Sequence, residues 1–547
     1  MNRCFEPTLA AEFAPRIAGR HLGLDFSLRV THARLMRIPI LVGALLGLAT
    51  AQLNARTETW SASATSGDWS TPENWIPARV PDSAFDTATF DTSDITEITL
   101  SEWVTAAACV FTENADAFEL SMGKEFLSLV GDGIVNNSPV TQNVVVPEGG
   151  GAIIFYNRST ITGPVSFLVD GQLDFTQFSS AGNATVMVEG GADPSAYGGT
   201  IWFERGSTAD HATFTLNGGT VDGAGGGKAR FLGRGNGGDA TFIVNGSDVP
   251  GASAGSIEFY GTLNAGVSAG NATIIVNGGG ATGGECFFGQ SANGGTARIE
   301  LFGNGRLTSE GGRLSVGSIE GDASLLMHGI LTVGTNDLST SYSGRIFDNR
   351  GRPGSLTKMG TGAFTLGGAN TYTGNTDVEA GALIAANTGG SATGESTVTV
   401  SGGTLGGSGM IAGAVTIGTG SGPGASLAPA ATSDKPQTLT LRSTLDLKAD
   451  ATYTYVLQAN GKNARTDKVI ANGITIESDA TFNLVATFNG AADLGSEYVV
   501  LSNTAATPIA GTFANLPDGG IISTGGINLQ ASYEGGSGND MTLTVVP

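Results

Sequence analysis

The sequence predicts an all-β fold: a parallel β-helix, or β-solenoid, with an N-terminal cap and a β-rich C-terminal region. Three observations carry this expectation. Glycine supplies 85 of 547 residues while only 14% are charged, and 40% are hydrophobic; glycine gathers where chains turn, so many turns and many short strands are expected. Short strand-like segments recur at a fixed interval, the signature of a repeat architecture. Within each segment apolar and polar residues alternate with period 2, which turns one face inward and one to solvent.

The repeats are plainest between residues 184 and 301. One strand type reads Ala184-Thr-Val-Met-Val188, Ala212-Thr-Phe-Thr-Leu216, Ala240-Thr-Phe-Ile-Val244 and Ala272-Thr-Ile-Ile-Val276, with a degenerate copy at Ala297–Leu301. A second type lies between these: Ile201-Trp-Phe203, Ala229-Arg-Phe231, Ile257-Glu-Phe259 and Glu285-Cys-Phe287. Its last residues step by 28, so Phe203, Phe231, Phe259 and Phe287 are expected to stack as one core ladder at the roughly 4.8 Å strand spacing. Each Phe would bury about 1.5–3 kcal/mol of apolar surface. Asn217, Asn245 and Asn277 each follow a strand and precede glycine, which predicts an asparagine ladder at a corner, with the glycine left-handed. This regular recurrence is explained by the turn alone, so no ligand role is assigned to these Asn residues.

The first residues read as an export signal. Arg34-Leu-Met-Arg37 precedes the apolar run Ile38–Ala49 and the small-residue stretch Ala49-Thr-Ala51 to Ala55, a basic, apolar and cleavage-site order. About a dozen apolar residues fall short of the roughly 20 a spanning helix needs, so a cleaved signal peptide over 1–55, with Met36 or Met1 as the start, is expected rather than a membrane anchor. The mature chain is then soluble and outside the inner membrane, with no stable membrane span. Its net charge falls from −22 to about −25, which disfavours nucleic acid and anionic membrane. Cysteine occurs only at Cys4, Cys109 and Cys286, too few for a disulfide framework or a metal cluster.

Further along, Gly354-Ser-Leu356-Thr-Lys358-Met-Gly360-Thr-Gly362-Ala-Phe-Thr-Leu366 continues through Ala369-Asn370-Thr-Tyr372-Thr-Gly374-Asn-Thr376 to Gly381-Ala-Leu383. This run strongly resembles the autotransporter-associated β-strand repeat, also called the passenger-associated transport repeat. Gly402–Ile417 looks like a following rung, the segments around Thr466-Asp467-Lys468 and Tyr533–Asp540 resemble passenger ends, and Gly67-Asp-Trp69 to Phe90 resembles the opening of such proteins. The resemblance implies a right-handed β-helix passenger at or beyond the outer membrane of a Gram-negative-type bacterium, dependent on export machinery. A self-transporting member would continue into a translocator barrel, whereas this sequence ends at Thr542–Pro547. The expectation is a passenger without the barrel, exported by another system or cut short.

The organisation expected is 56–150 for the cap and first rungs, 151–353 for the 28-residue solenoid, 354–430 for the transport-repeat region and 431–547 for the C-terminal part. The last boundary rests on Gly422-Pro-Gly424 and Ala428-Pro429 to Pro436, where turn formers interrupt the repeat.

The search for chemistry returns little. Asp170 and Asp174 flank Gly171-Gln-Leu173 and would place two carboxylates on one strand face, the minimum for acid–base work on a glycan; a solvated strand face explains them as well. Only His211 and His328 follow the export segment, so no nucleophile–base or metal set assembles. Gly535-Gly-Ser-Gly-Asn-Asp540 approximates a calcium-binding nonapeptide but is single, and reads as a hairpin turn. Trp60, Trp69, Trp75 and Trp103 cluster early, either to cap the open first rung or to stack on sugar rings; capping is the expectation. Together these point to an exported structural or adhesive protein of the cell surface, with no catalytic, cofactor or metal site. Extracellular polysaccharide or cell-surface components are its expected partners. A polysaccharide-binding module and a polysaccharide-degrading β-helix enzyme are the alternatives.

Overall fold

The computed structural model describes residues 55–547, apart from 262–265, 350, 461–462 and 490–491. The export signal therefore lies outside the described residues, except for Ala55. Strands dominate, and the helical element among the described residues is the 3-10 turn Pro72–Asn74. No helix among them is long and apolar enough to cross a membrane.

One rung shows how the chain winds. Gln172–Phe175 lies on sheet 1, the chain turns, Ser180 makes a parallel bridge on a narrow third face, and Thr185–Val188 lies on sheet 2. A loop then returns the chain to Thr200–Phe203, which pairs in parallel with Gln172–Phe175 in the register Gln172↔Thr200 and Phe175↔Phe203. The next strands, Lys228–Phe231 and Ser256–Phe259, repeat the 28-residue step. Sheet 1 runs from Arg56–Trp60 to Ile474–Ile476 and sheet 2 from Glu97–Thr99 to Thr481–Asn489. The chain is thus a parallel β-helix.

Four-residue strands such as Thr213–Leu216 and Lys228–Phe231 alternate half-exposed and buried positions. The inward residues of successive rungs stack into ladders. Phe155, Phe175, Phe203, Phe231, Phe259 and Phe288 form one, with adjacent centroids 4.9, 5.0, 4.6, 4.7 and 4.7 Å apart and planes within 16° of parallel. The expected fourth member, Phe287, is not in it: Phe259 pairs with Phe288, and Phe287 faces outward opposite Glu258. The segment between Phe259 and Thr273 is four residues longer than its counterpart between Phe231 and Thr241, while the loop from Val276 to Glu285 is three residues shorter than that from Val244 to Ser256. The net shift of one residue exchanges the two faces of the strand, and Cys286 becomes an inward residue.

The asparagine ladder is present at the corner after sheet 2. Asn245 Nδ2 donates to Asn217 Oδ1 at 2.8 Å and Asn277 Nδ2 to Asn245 Oδ1 at 2.9 Å. Asn217 Nδ2 donates to Glu189 at 3.0 Å, which ends the run. The glycines that follow are not left-handed. A Cβ at Gly218 would lie 2.5 Å from the Gly246 carbonyl oxygen, and one at Gly246 2.3 Å from that of Thr282, so close approach of stacked backbones is what requires glycine there.

Positive φ falls instead at the turn after sheet 1, in consecutive pairs: Asn157 and Arg158 (50° and 70°), Gln177 and Phe178 (54° and 68°), Arg205 and Gly206 (51° and 84°). Left-handed non-glycine residues cost about 1–2 kcal/mol each. A buried serine ties two of these turns to the preceding rung: Ser159 Oγ donates to the Leu129 carbonyl and Ser207 Oγ to that of Phe175, both at 2.9 Å, whereas the buried Ser179 hydroxyl, at the turn of Gln177 and Phe178, has no partner.

At the N-terminal end Trp60, Trp69 and Trp75 are buried around Phe90, with ring centroids of 5.0 Å for Trp60–Trp75 and 4.9 Å for Trp69–Trp75. Their indole N–H groups donate to the Ile95, Pro81 and Trp69 carbonyls. Arg79 pairs with the buried carboxylates of Glu58 and Asp86. These aromatics seal the first rung. Trp103 does not join them and is 62% exposed.

Beyond residue 430 the stack continues. Ala425–Leu427 pairs with Gly403–Gly407 on one side and Ala451–Asn460 on the other, so the Gly/Pro-rich stretch is a loop rather than a break. The third face widens into a sheet of Met410–Ile411, Thr438–Leu441, Lys468–Ala471 and Glu497–Asn503. Asp540–Val546, Ile527–Gly535 and Ile521–Thr524 then close it as an antiparallel meander. The residues around Gly536 form the hairpin turn of that meander, where Asp540 accepts the Asn503 N–H at 2.7 Å.

Candidate functional site

Alternation places the third residue of each sheet 1 strand in an outward row. Register fixes its order as Ile154, Asp174, Trp202, Arg230, Glu258 and Phe287. Tyr156 and Tyr260 flank this row just beyond their strands, and toward the N-terminal end the exposed pair Trp103 and Phe126 packs at 5.8 Å. One face of the helix therefore carries aromatic side chains over several rungs.

The Arg230 guanidinium lies over the Trp202 ring, 5.0 Å from its centroid, and Arg230 Nε donates to Glu258 at 2.9 Å. One face of the indole is thus covered from the rung above. On its other side, where the short Asp174 stands in the row, a groove of about 260 Å³ opens. Ile154 and Tyr156 wall it on one side, Trp202 on the other, with Gln172, Asp174 and Thr176 between and Glu204 and Arg205 at the edge. Both Asp174 oxygens accept from Gln172 Nε2, at 3.0 and 2.8 Å. Burial pushes the Asp174 carboxyl up to about 6, aided by the Glu204 charge and opposed by the Gln172 hydrogen bond. Burial, then the Asp174 charge, raises the Tyr156 phenol.

Asp170 does not share this groove. It sits at the corner between sheet 2 and sheet 1 and lines a separate pocket of about 240 Å³ with Glu148, Glu189 and Tyr197. Its carboxyl is raised by burial and then by the Glu189 and Glu148 charges. The expectation of two carboxylates on one strand face is thus overturned: Asp170 precedes the strand Gln172–Phe175 and belongs to the turn. His211 is exposed beside Asp210 at 2.6 Å, whereas His328 is buried with neither ring nitrogen hydrogen-bonded. Cys109 and Cys286 are fully buried, and burial raises both thiols, Cys109 to about 12. Among the described residues no group of three His, Cys, Asp or Glu side chains is placed to hold a metal ion.

The glycine-rich segment from 354 is built of rung-to-rung ties. Leu356, Leu366 and Leu383 point into the core. Lys358 is also inward and 1% exposed; its Nζ donates to the carbonyls of Met359, Gly360 (3.1 Å) and Ala380 (3.2 Å). Burial lowers this ammonium to about 8. Asn370 joins three rungs: its Oδ1 accepts the Ile346 N–H at 2.8 Å and its Nδ2 donates to the Ala392 carbonyl at 2.6 Å. The Tyr372 hydroxyl meets Thr376 Oγ1 at 2.6 Å in the core. Gly360 and Gly381 have φ of 67° and 66°, while a Cβ at Gly362 would meet the Leu338 carbonyl oxygen at 2.4 Å and one at Gly374 the Ser355 hydroxyl at 2.2 Å.

Comparison with known proteins agrees with this segment. Residues 356–385 match the passenger-associated-transport-repeat family, so the chain carries that repeat of autotransporter passengers. No curated protein matches the chain. The crystal structure of the Haemophilus influenzae Hap adhesin is similar over 84% of this chain at 11% identity and a TM-score of 0.26. The chain spans 58% of the length of that adhesin chain.

The Asp174–Trp202 groove was not anticipated from sequence. The signal was there: residues 174 and 202 stand one 28-residue step apart, which puts them on adjacent rungs of one outward row.

Proposed function

We propose that this chain is an exported, non-catalytic scaffold of the bacterial surface or its surroundings that adheres through the outer face of sheet 1. The observation that carries the reading is the aromatic row on that face, from Trp103 and Phe126 to Trp202 and Phe287. Exposed aromatics on an ordered sheet offer stacking surface at small entropic cost. The transport repeat and the signal-like sequence of residues 1–55 support an exported location. The separation of Asp170 from Asp174 into two pockets favours adhesion over glycan cleavage. Extracellular polysaccharides and cell-surface components are the partners this face suits.

The test is to pass the mature chain over a panel of bacterial, algal and plant polysaccharides, measuring both retained protein and released reducing or unsaturated ends. Retention without release is expected. Release by the wild type that is abolished in Asp170→Asn/Asp174→Asn would make the chain an enzyme, and absence of retention on every polysaccharide and on whole cells would remove the adhesive role.

A further inference from the structure

The groove beside Trp202 has a geometry that narrows what it can hold. Ile154 and Trp202 lie two rungs apart in one row, with Asp174 on the rung between them. Two rungs are about 9.6 Å, so the missing bulk at Asp174 leaves a slot about one ring thick, with an aliphatic and phenolic wall on one side and an indole on the other. Because Arg230 occupies the opposite indole face, Trp202 is braced from behind and presents a single free face into the slot. The volume of about 260 Å³ lies below the roughly 300–1,000 Å³ of pockets that enclose drug-sized ligands; it has room for one ring, not for a folded peptide segment.

The polar groups set the chemistry. The Asp174 carboxylate, held by Gln172 Nε2, keeps lone pairs for two further donors, and Thr176 and Arg205 supply donors beside it. Interleaved donors and acceptors around one flat apolar wall match a ring that carries an apolar face and a rim of hydroxyl groups. A quaternary ammonium would leave the Arg205 donors without acceptors, and a purely apolar ring would desolvate Asp174 with Gln172 as its one donor.

We propose that this slot binds one pyranose unit of a polysaccharide, stacked on the free face of Trp202 with vicinal hydroxyls donating to Asp174. This rests on the adhesive reading above and assigns it a site. The Trp103–Phe126 pair lies about three to four rungs away along the same face, roughly 14–19 Å, and provides a second stacking surface for the same extended chain.

The experiment titrates the mature chain with cello-, laminari-, manno- and xylo-hexaose, with tetramethylammonium as the cationic probe, reading tryptophan emission and affinity-gel retardation. The variants are Trp202→Ala, Asp174→Asn, and Asp170→Asn as the control from the other pocket. All three residues face away from the core, and unchanged thermal melts verify the fold. At least one hexaose is expected to bind, with affinity at least tenfold weaker in Trp202→Ala and Asp174→Asn and unchanged in Asp170→Asn. Hexaose binding that survives both substitutions overturns the slot assignment and leaves the adhesive reading standing. Tetramethylammonium binding that depends on Trp202, without hexaose binding, overturns the saccharide class. A chain retained by no polysaccharide and no cell surface fails on both counts.

Discussion

Removing the ring of Phe288 should cost far more than removing that of Phe287, although the residues are neighbours of the same type. Phe288 is 1% exposed and stacks on Phe259 at 4.7 Å with planes 7° apart. Truncating a buried Phe to Ala costs about 3–5 kcal/mol through lost transfer energy and the cavity left behind, and the broken stack adds to the upper part of that range. Phe287 lies on the outward face and meets Tyr260 at 5.4 Å and 44°; its truncation should cost less than about 1 kcal/mol. The 28-residue step read from sequence gives the reverse ranking. Urea unfolding followed by far-ultraviolet circular dichroism compares the two variants. In a stacked repeat each rung contacts only its neighbours, so hydrogen exchange at Cys286, Ile257 and Leu307 supplies a local readout. Phe288→Ala should lower the midpoint and expose these amides, and Phe287→Ala should do neither. Equal losses, or a larger loss at Phe287, would refute the register argument.

Asn245→Ala should cost about 1–3 kcal/mol, because it leaves Asn217 Oδ1 without its donor and Asn277 Nδ2 without its acceptor; a variant of wild-type stability in urea contradicts a structural role for the ladder. Lys358 gives a pH dependence. Its folded pKa of about 8 lies below its ordinary 10.5, so the folded state binds fewer protons than the unfolded state between these values. The cost of holding the charge is full below pH 8 and is relieved as pH rises to 10.5. Wild type should therefore gain up to about 3 kcal/mol relative to Lys358→Met over that window, and a stability difference that does not change with pH contradicts it.

Features set by local period were legible in the sequence. The alternation in Ala212–Leu216 gave the inward Phe214, and the recurrence of Asn217, Asn245 and Asn277 gave the corner ladder. The transport-repeat resemblance marks Lys358 and Asn370 as repeat positions, although not the carbonyls that each holds. What failed depended on lengths between strands. An insertion after Phe259 and a deletion after Val276 nearly cancel, so counting residues placed the wrong Phe in the core. Asp170 and Asp174 are near in sequence, but a corner falls between them. The turn pattern predicts left-handed backbone for the glycines after the Asn ladder, whereas the crowding of the next rung is what excludes a side chain. The groove at Trp202 needs contacts between residues 154, 174 and 202, which become neighbours only once the register is fixed.

Stacked ladders make residues 56–547 a persistent rod that presents one ordered face. Small-angle X-ray scattering of this chain tests it most directly. Sheet 1 alone spans about 80 Å at the strand spacing of its rungs, so the pair-distance distribution should be skewed, with a tail beyond 80 Å. A compact globule of this length has a radius of gyration near 23 Å and a largest dimension of about 60 Å; a symmetric distribution ending there would contradict the account.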